Sequence, residues 1–553
     1  MKGQRFHVNT TGHPDCCVSI YEIARVYAHG ICPGFTCLLM LSILFLGCGE
    51  SSHRYPVPPI DPAPGSILVE SRRFEIGSEK YNADFGSITV PENRGNARSR
   101  LISIPFLRIH SRAKEPAEPI FAFSGGPGQS NMSWAWEFAA TFLSQHDFVL
   151  VGYRGVDGSC VLDLPEVQEA MKAPGDPLTD ESLDAIGRAF ASGAARLGAQ
   201  GVDIDGYTML ECIEDNESVR RSLGYERINL LSESYGTRVA YLYGLRYPDH
   251  VFRSAMISVN PPGHFVWDPR MTDTQLRYYA NLWSKDPSAS ARTPDLYGAM
   301  HKVLTAMPGR WFVFPINPGK VRVVTFALLF QRETAAMVFD AFVAADRGDA
   351  SGLALMSLAY DYVVPSLGIW GDLASKAVSA DYDSTRNYRS DMDPPGLPLG
   401  APMSKIAWGT TGPRAWPIKP LPEEFRRLQR SDVETLLLSG SIDFSTPAEY
   451  ATNELLPNLK NGKQIILSEY GHVGDVLFVH GDNARLLLTS FYETGVPNTS
   501  LNTYVPMDFG VSWGFPVIAK VVLGAVLILV MGLFAAVAWL IRRFRRAGGK
   551  VVV

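Results

Sequence analysis

Strand-like and helix-like runs alternate through residues 100–260, and this pattern constrains the fold more than any other feature of the chain. Short apolar runs have the length and composition of strands, and longer runs between them have helical spacing. Such alternation predicts a mostly parallel sheet that is covered by helices. Ligands of such sheets bind beyond the carboxyl ends of the strands, so the loops that follow strands are the candidates for a functional site. The predicted strands are residues 101–107, 120–123, 148–152, 228–231 and 255–259, and residues 237–247 are a predicted helix.

A glycine-rich loop follows the second of these strands, with the sequence Ser124-Gly125-Gly126-Pro127-Gly128. Glycines have no Cβ, so the backbone N–H groups of this loop are open to a ligand. An oxyanion hole needs such donors. A tight turn without a binding role is the alternative interpretation.

A second loop, Ser232-Glu233-Ser234-Tyr235-Gly236, joins a predicted strand to a predicted helix. It is a variant of the G-x-S-x-G nucleophile elbow, in which a sharp turn raises the central serine above the sheet. The motif favours Ser234 as a nucleophile, although a serine before a helix is also an ordinary N-cap.

Two further candidates follow strands near the C-terminal end of the domain. Asp443 comes after an apolar run that ends at residue 438, and His472 comes after the run 464–467. The chain order Ser234, Asp443, His472 is the order of a triad in an α/β-hydrolase. An isolated Asp or His is usually structural, so the prediction depends on these residues occurring together with the glycine loop.

The sequence resembles the α/β-hydrolase family of proline iminopeptidases and tripeptidyl aminopeptidases from about residue 80 to residue 490. The resemblance implies an α/β-hydrolase fold with a mostly parallel sheet, in core parts 66–261 and 431–505, and a helical cap, or lid, at 262–430. It implies Ser234 as nucleophile, Asp443 as acid, His472 as base, and the backbone N–H groups of Gly125 and Tyr235 as oxyanion donors. The motifs are Gly86 to Arg94, Gly125 to Gly128, Tyr153-Arg154-Gly155, Leu223-Gly224-Tyr225, Ser234 to Arg238, Arg246-Tyr247-Pro248, Leu437 to Gly440 and Gly471-His472.

The chain departs from the family pattern at two motif positions and in its cysteines. Ser232 stands where a glycine is usual, and Ser124 stands where the iminopeptidases have histidine. Cysteines that relatives carry near residues 154 and 416 are absent or shifted. Cys160 and Cys212 remain, and a disulfide between them is an open expectation for an oxidising compartment.

The lid raises two questions that the sequence leaves open. Family members hold the substrate amine with lid carboxylates, for which Asp361, Asp372 and Asp381 are unranked candidates. Lid tryptophans either line the pocket or fill the lid's own core, and we favour the second interpretation. These tryptophans are Trp283, Trp311, Trp370 and Trp408.

The N-terminal region predicts export. Residues 1–48 read as a signal peptide or lipoprotein-type leader with an uncharged stretch at 30–48, in which Cys48 is a lipidation candidate. An ordinary signal peptide or N-terminal membrane anchor is the alternative. Residues 49–65, with five prolines, read as an extended tether.

The C-terminal region predicts a membrane anchor. Residues 521–541 form 21 uncharged positions that span about 31 Å as a helix, the thickness of a bilayer core. A juxtamembrane segment, 506–520, precedes this stretch, and the arginine-rich tail 542–553 follows it. The positive-inside rule places that tail in the cytoplasm and the main domain outside it. A buried helix of a soluble protein is the less favoured alternative.

Composition narrows the function classes. The formal net charge is −5, from 51 basic and 56 acidic side chains, which argues against nucleic-acid binding. No metal-ligand spacing or cofactor motif stands out, so we expect neither a metal nor a cofactor. We predict a serine hydrolase that acts on a peptide or an ester, and we favour an aminopeptidase; protein partners are not indicated. The alternatives are an esterase or other acyl hydrolase, and a catalytically silent binding protein.

Overall fold

The computed structural model describes residues 55–57 and 62–548. The predicted leader, with Cys48, lies outside the described residues, as do most of the tether and the last residues of the tail. The account below therefore covers the main domain and the C-terminal helix.

A nine-stranded sheet forms the centre of the domain, in the order β1-β2-β3-β5-β4-β6-β7-β10-β11. The pairs from β1 to β5 by way of β2 and β3 are antiparallel, and every pair from β5 to β11 is parallel. The strands are β1 Ile67–Ile76, β2 Glu79–Pro91, β3 Leu101–Ile109, β4 Ala117–Phe123, β5 His146–Val151, β6 Ile228–Glu233, β7 Val251–Ile257, β10 Glu434–Gly440 and β11 Gly462–Leu467, with β8 Arg310–Trp311 and β9 Phe314–Pro315 forming a separate hairpin.

Helices cover both faces of this sheet. Side chains alternate between the faces of a strand, so on β4 Phe121 and Phe123 pack into one hydrophobic cluster while Ile120 and Ala122 pack into another. Burial on both faces explains why the parallel strands are apolar throughout. The helices outside the lid are α1 Trp136–Ala139, α2 Pro165–Met171, α3 Asp180–Ala199, α4 Met209–Ser222, α5 Tyr235–Arg246, α16 Ala448–Tyr450, α17 Gly474–Phe478 and α18 Gly481–Thr494.

The lid between β7 and β10 is helical, and its hydrophobic cluster also takes in buried side chains of α2 and α3. Trp283 is fully buried there against Phe339 and Phe509, and Trp311 packs at the edge of the same cluster. The spacing of apolar residues in the sequence predicts one helix over residues 325–347, whereas the structure interrupts it at residues 329–331. The lid helices are α6 Pro269–Lys285, α7 Pro287–Arg292, α8 Leu296–Thr305, α9 Pro318–Leu328, α10 Arg332–Asp346, α11 Ser351–Val363, α12 Trp370–Asp381, α13 Tyr388–Asp391, α14 Pro402–Thr410 and α15 Glu423–Arg426.

The last helix, α19 (Phe515–Gly548), is long and apolar enough to cross a membrane. Its apolar part, Phe515–Phe544, has a mean hydropathy of 2.9 over its most apolar window, none of which is buried in the protein. The first turns pack against α11 (Ser351–Val363), and Lys520 pairs at 2.5 Å with Asp349 in the loop before that helix. The helix is therefore joined to the lid at its start and free of the domain beyond it.

Candidate active site

Ser234 occupies a sharp turn between β6 and α5. Its backbone has φ 51° and ψ −122°, which places a non-glycine residue in a strained region. Gly236 makes the turn feasible, since a Cβ at this position would lie 2.1 Å from the carbonyl oxygen of Phe123. Ser232, at the position where the motif usually has glycine, is buried and its Oγ donates to the carbonyl of Ala255 at 3.2 Å. The elbow geometry is therefore compatible with a serine at 232.

The structure brings the three predicted catalytic side chains together. The Oγ of Ser234 lies 2.9 Å from Nε2 of His472. Nδ1 of His472 lies 3.0 and 2.9 Å from the two carboxylate oxygens of Asp443. Asp443 is fully buried and His472 is 9% exposed. This arrangement can pass a proton from the serine to the histidine while the carboxylate orients the ring.

The loop after β10 fixes the Asp443 carboxylate. The backbone N–H groups of Ser445 and Thr446 donate to Oδ1 at 3.0 and 2.7 Å. The Thr446 hydroxyl donates to Oδ2 at 2.9 Å and lies 3.3 Å from Nδ1 of His472. The sequence reasoning missed Thr446, although its place three residues after the acid, before a proline, is a turn signal.

The lid holds the histidine loop. The backbone N–H of His472 donates to the carbonyl of Phe330 at 2.7 Å, and the Gln331 side chain donates to the carbonyl of His472 at 3.1 Å. Asp475 accepts from the backbone N–H groups of Gly471 and Arg332. Burial raises the pKa of Asp475 to about 6 despite these donors. The interruption between α9 and α10 is thus the contact point between the lid and the predicted base.

The glycine loop lies against the nucleophile. A Cβ on Gly125 would be 3.2 Å from Cβ of Ser234, so this backbone approaches the serine closely. Tyr235 begins α5, whose first N–H groups lack intrahelical partners. Ser124, by contrast, is a buried structural residue whose N–H donates to Asn131 at 2.7 Å. Gly125 and Tyr235 therefore lie where the predicted oxyanion donors should be.

A buried lid ion pair supports the same loop. Asp372 on α12 accepts from the N–H of Gly128 at 3.0 Å and pairs with Lys376. Lys376 donates in turn to the carbonyl of Arg154 at 2.9 Å. Both side chains of the pair are completely buried, and burial lowers the pKa of Lys376. Asp372 thus holds the loop and the Tyr153-Arg154-Gly155 turn together.

None of the three candidate amine-binding carboxylates lines the cavity beside Ser234. Asp372 pairs with Lys376 and accepts from the N–H of Gly128. Asp361 pairs with Lys320 at 2.5 Å, and Asp381 pairs with Arg238 at 3.1 Å. Each already has a cationic partner within the protein, so none of them offers a free carboxylate to this cavity.

The expected disulfide is absent, since Cys160 and Cys212 are both free thiols. The sulfur of Cys160 lies 3.2 Å from the Arg100 guanidinium. Cys212 is buried in the cluster that contains Tyr153 and Tyr235.

A cavity of about 90 Å³ opens directly onto Ser234. Of the four tryptophans named in the sequence analysis, Trp283 and Trp311 pack in the lid cluster, which confirms the preference for core packing. Trp370 and Trp408 are buried in hydrophobic clusters and also line the cavity, so they fill both roles. Within residues 55–57 and 62–548, no group of His, Cys, Asp and Glu side chains is arranged to hold a metal ion.

Comparison with known proteins agrees with this architecture. Residues 118–296 match the family model of the α/β hydrolase fold. A tripeptidyl aminopeptidase from Streptomyces lividans is 30% identical over 200 residues, which cover 33% of this chain and 36% of the relative. One from Streptomyces coelicolor is 29% identical over the same shares of the two chains. The chain therefore spans about a third of the length of these relatives.

A solved serine hydrolase from Cycloclasticus zankles is also similar. The match covers 77% of this chain and 98% of that one, with 12% identity and a TM-score of 0.32. The sheet order and the family match confirm the predicted fold. The chain has the α/β-hydrolase fold, and its matches support a serine hydrolase that is similar to the tripeptidyl aminopeptidases.

Proposed function

We propose that the chain is a membrane-tethered serine hydrolase that removes short peptides from the amino terminus of its substrate. The hydrogen-bonded series Ser234, His472, Asp443 is the observation that carries the proposal, because it lies at the end of a cavity and beside a glycine loop. The similarity to tripeptidyl aminopeptidases supports a peptide as the substrate.

The geometry supports an acyl-enzyme mechanism. His472 Nε2 accepts the proton of Ser234 as Oγ attacks the scissile carbonyl, and Asp443 holds the ring in the required tautomer. The developing oxyanion faces the backbone N–H groups of Gly125 and Tyr235. His472 then gives its proton to the leaving amine, and water releases the acyl group by the same steps.

Substitution of Ser234 tests the activity. We expect Ser234→Ala to abolish labelling by a fluorophosphonate probe and to lower hydrolysis of tripeptidyl-naphthylamides by at least about 10⁴-fold, as for other triads. Ser284→Ala, on an exposed turn of the lid helix α6, is the matched control and should behave as the wild type. Full hydrolysis by Ser234→Ala would refute the mechanism.

The same assay separates the competing functions. A catalytic triad can cleave either an ester or an amide, so the substrates must be compared. An esterase would cleave p-nitrophenyl esters through Ser234 and leave peptidyl-naphthylamides intact. A silent binding protein would show no labelling of Ser234 in the folded wild type.

We also propose that α19 anchors the enzyme with its catalytic domain outside the cytoplasm. The unburied apolar surface of this helix supports the anchor, and the arginines in its last turns support the orientation. A protease added to right-side-out cells should digest the main domain and spare a tag at the C-terminus. Protection of the main domain would refute the orientation.

A further inference from the structure

The cavity beside Ser234 has apolar and largely aromatic walls. Phe265 and Trp267 come from the start of the lid, Trp370 and Leu373 from α12, and Ile406 and Trp408 from α14. One water fills about 10–15 Å³ of a cavity. A volume of about 90 Å³ therefore admits a group of roughly six to nine heavy atoms, which matches a phenylalanine side chain and leaves room around a leucine side chain.

The walls carry no Asp, Glu, Lys or Arg among the described residues that line the cavity. His264 is the one lining side chain that can carry a positive charge, and its Nε2 lies 2.8 Å from the carboxylate of Glu454. The nearby lid carboxylates Asp372 and Asp381 are bound to Lys376 and Arg238. A charged group that enters this cavity would lose its hydration without gaining an opposite charge.

We propose that this cavity selects a bulky, uncharged apolar side chain on the residue whose carbonyl is attacked, and that it excludes a free ammonium group. The proposal rests on the proposed function, because it assigns the substrate class of the same site. It follows that a substrate from which one amino-terminal residue would be released is a poor substrate, because its ammonium group is one carbon from the scissile carbonyl. A substrate from which a short peptide would be released keeps its ammonium group outside the cavity.

A matched substrate series tests the selection. The full chain in detergent would be assayed with Ala-Ala-X-naphthylamides in which X is Ala, Leu, Phe, Lys or Asp. We expect kcat/KM to be about 10- to 100-fold higher for Leu and Phe than for Ala, because each buried methylene contributes to binding. Lys and Asp should be at least about 10-fold below Ala. Equal rates across the series, or a preference for Lys or Asp, would overturn the proposal.

A second pair of substrates tests the exclusion of the ammonium. Acetyl-Phe-naphthylamide, which has no charge, should be cleaved at least about 10-fold faster than Phe-naphthylamide. The reverse order would overturn this part of the proposal. The Ser234→Ala variant separates the proposed function from the proposed selection. If it cleaves no substrate of the series, the proposed function is supported whichever residue X is preferred.

Filling the cavity links the preference to its walls. Ala407 lines the cavity, whereas Ala291 is exposed on the lid and serves as the control. Ala407→Phe should lower kcat/KM for X = Phe by at least about 10-fold more than for X = Ala, while Ala291→Phe changes neither. An equal loss for both substrates, or no loss for either, would overturn the assignment of this cavity.

Discussion

The buried pair Asp372–Lys376 predicts a large and specific loss of stability. Both side chains are fully buried, and the pair connects α12 to the glycine loop through Gly128 and to the turn at Arg154. Lys376→Met leaves the Asp372 carboxylate in the interior without its counter-charge. Removal of one partner of a buried pair typically costs about 3–5 kcal/mol, a large part of the roughly 5–15 kcal/mol that stabilises a protein.

Replacement of both charges should restore most of this loss. Asp372→Asn combined with Lys376→Met removes the uncompensated carboxylate, and the Asn oxygen still accepts from Gly128. We therefore expect the double variant to be more stable than Lys376→Met by at least about 1 kcal/mol, which is a non-additivity typical of residues in contact. The pair is thus predicted to be coupled, and not a sum of two independent contributions.

Urea unfolding in a mild detergent, followed by tryptophan fluorescence, measures these free energies. Lys302→Met is the matched control, because Lys302 forms a 2.6 Å pair with Asp346 on the surface and its side chain is 70% exposed. A surface pair contributes about 0–1 kcal/mol. If Lys376→Met lost no more than Lys302→Met, or if the double variant were less stable than both single variants, the reasoning would be refuted.

Three further predictions follow from the elbow and from a second buried ion pair. Ser232→Gly should change kcat by less than about threefold in the naphthylamide assay, because the turn already accommodates the serine. Gly236→Ala should abolish Ser234 labelling or folding, since the new Cβ would meet the Phe123 carbonyl oxygen at 2.1 Å. Although burial opposes ionisation, Arg154 holds the pKa of Asp215 below its ordinary value, so its stabilisation is present above about pH 4 and is lost as pH falls through the lowered pKa. Asp215→Asn should therefore cost about 3–5 kcal/mol at pH 7, and urea titrations should show this difference shrinking below about pH 4.

The central sheet was predictable because its strands are buried on both faces. The parallel strands β4, β5, β6 and β7 are short apolar runs, and the sequence predicts each to within a few residues. The edge strand β1 was missed. Its sequence, ILVESRRFEI, is mostly exposed and charged, which protects a sheet edge from pairing with other chains but hides the strand from an apolar pattern.

The candidate site was predictable as far as it lies in loops after strands. Ser234, Asp443 and His472 each follow a strand of the parallel part, and parallel strands bring such loops to one edge. The roles of the lid carboxylates were not predictable. Asp372 pairs with Lys376 on the next turn of its own helix, and Asp381 pairs with Arg238, which is distant in the chain. The local sequence does not show that these cations occupy the two carboxylates.

The interruption between α9 and α10 shows why the lid is harder to predict than the core. Residues 325–347 have continuous helical character, and a local pattern favours one helix. The chain instead gives up intrahelical hydrogen bonds at 329–331, and the Phe330 carbonyl accepts from the N–H of His472 while Asp475 accepts from the N–H of Arg332. These partners are more than a hundred residues away, so the local sequence does not encode them. Because the same backbone contact joins the lid to the predicted base, a movement of residues 329–331 away from the core would either break the hydrogen bond to His472 or carry the histidine loop with it.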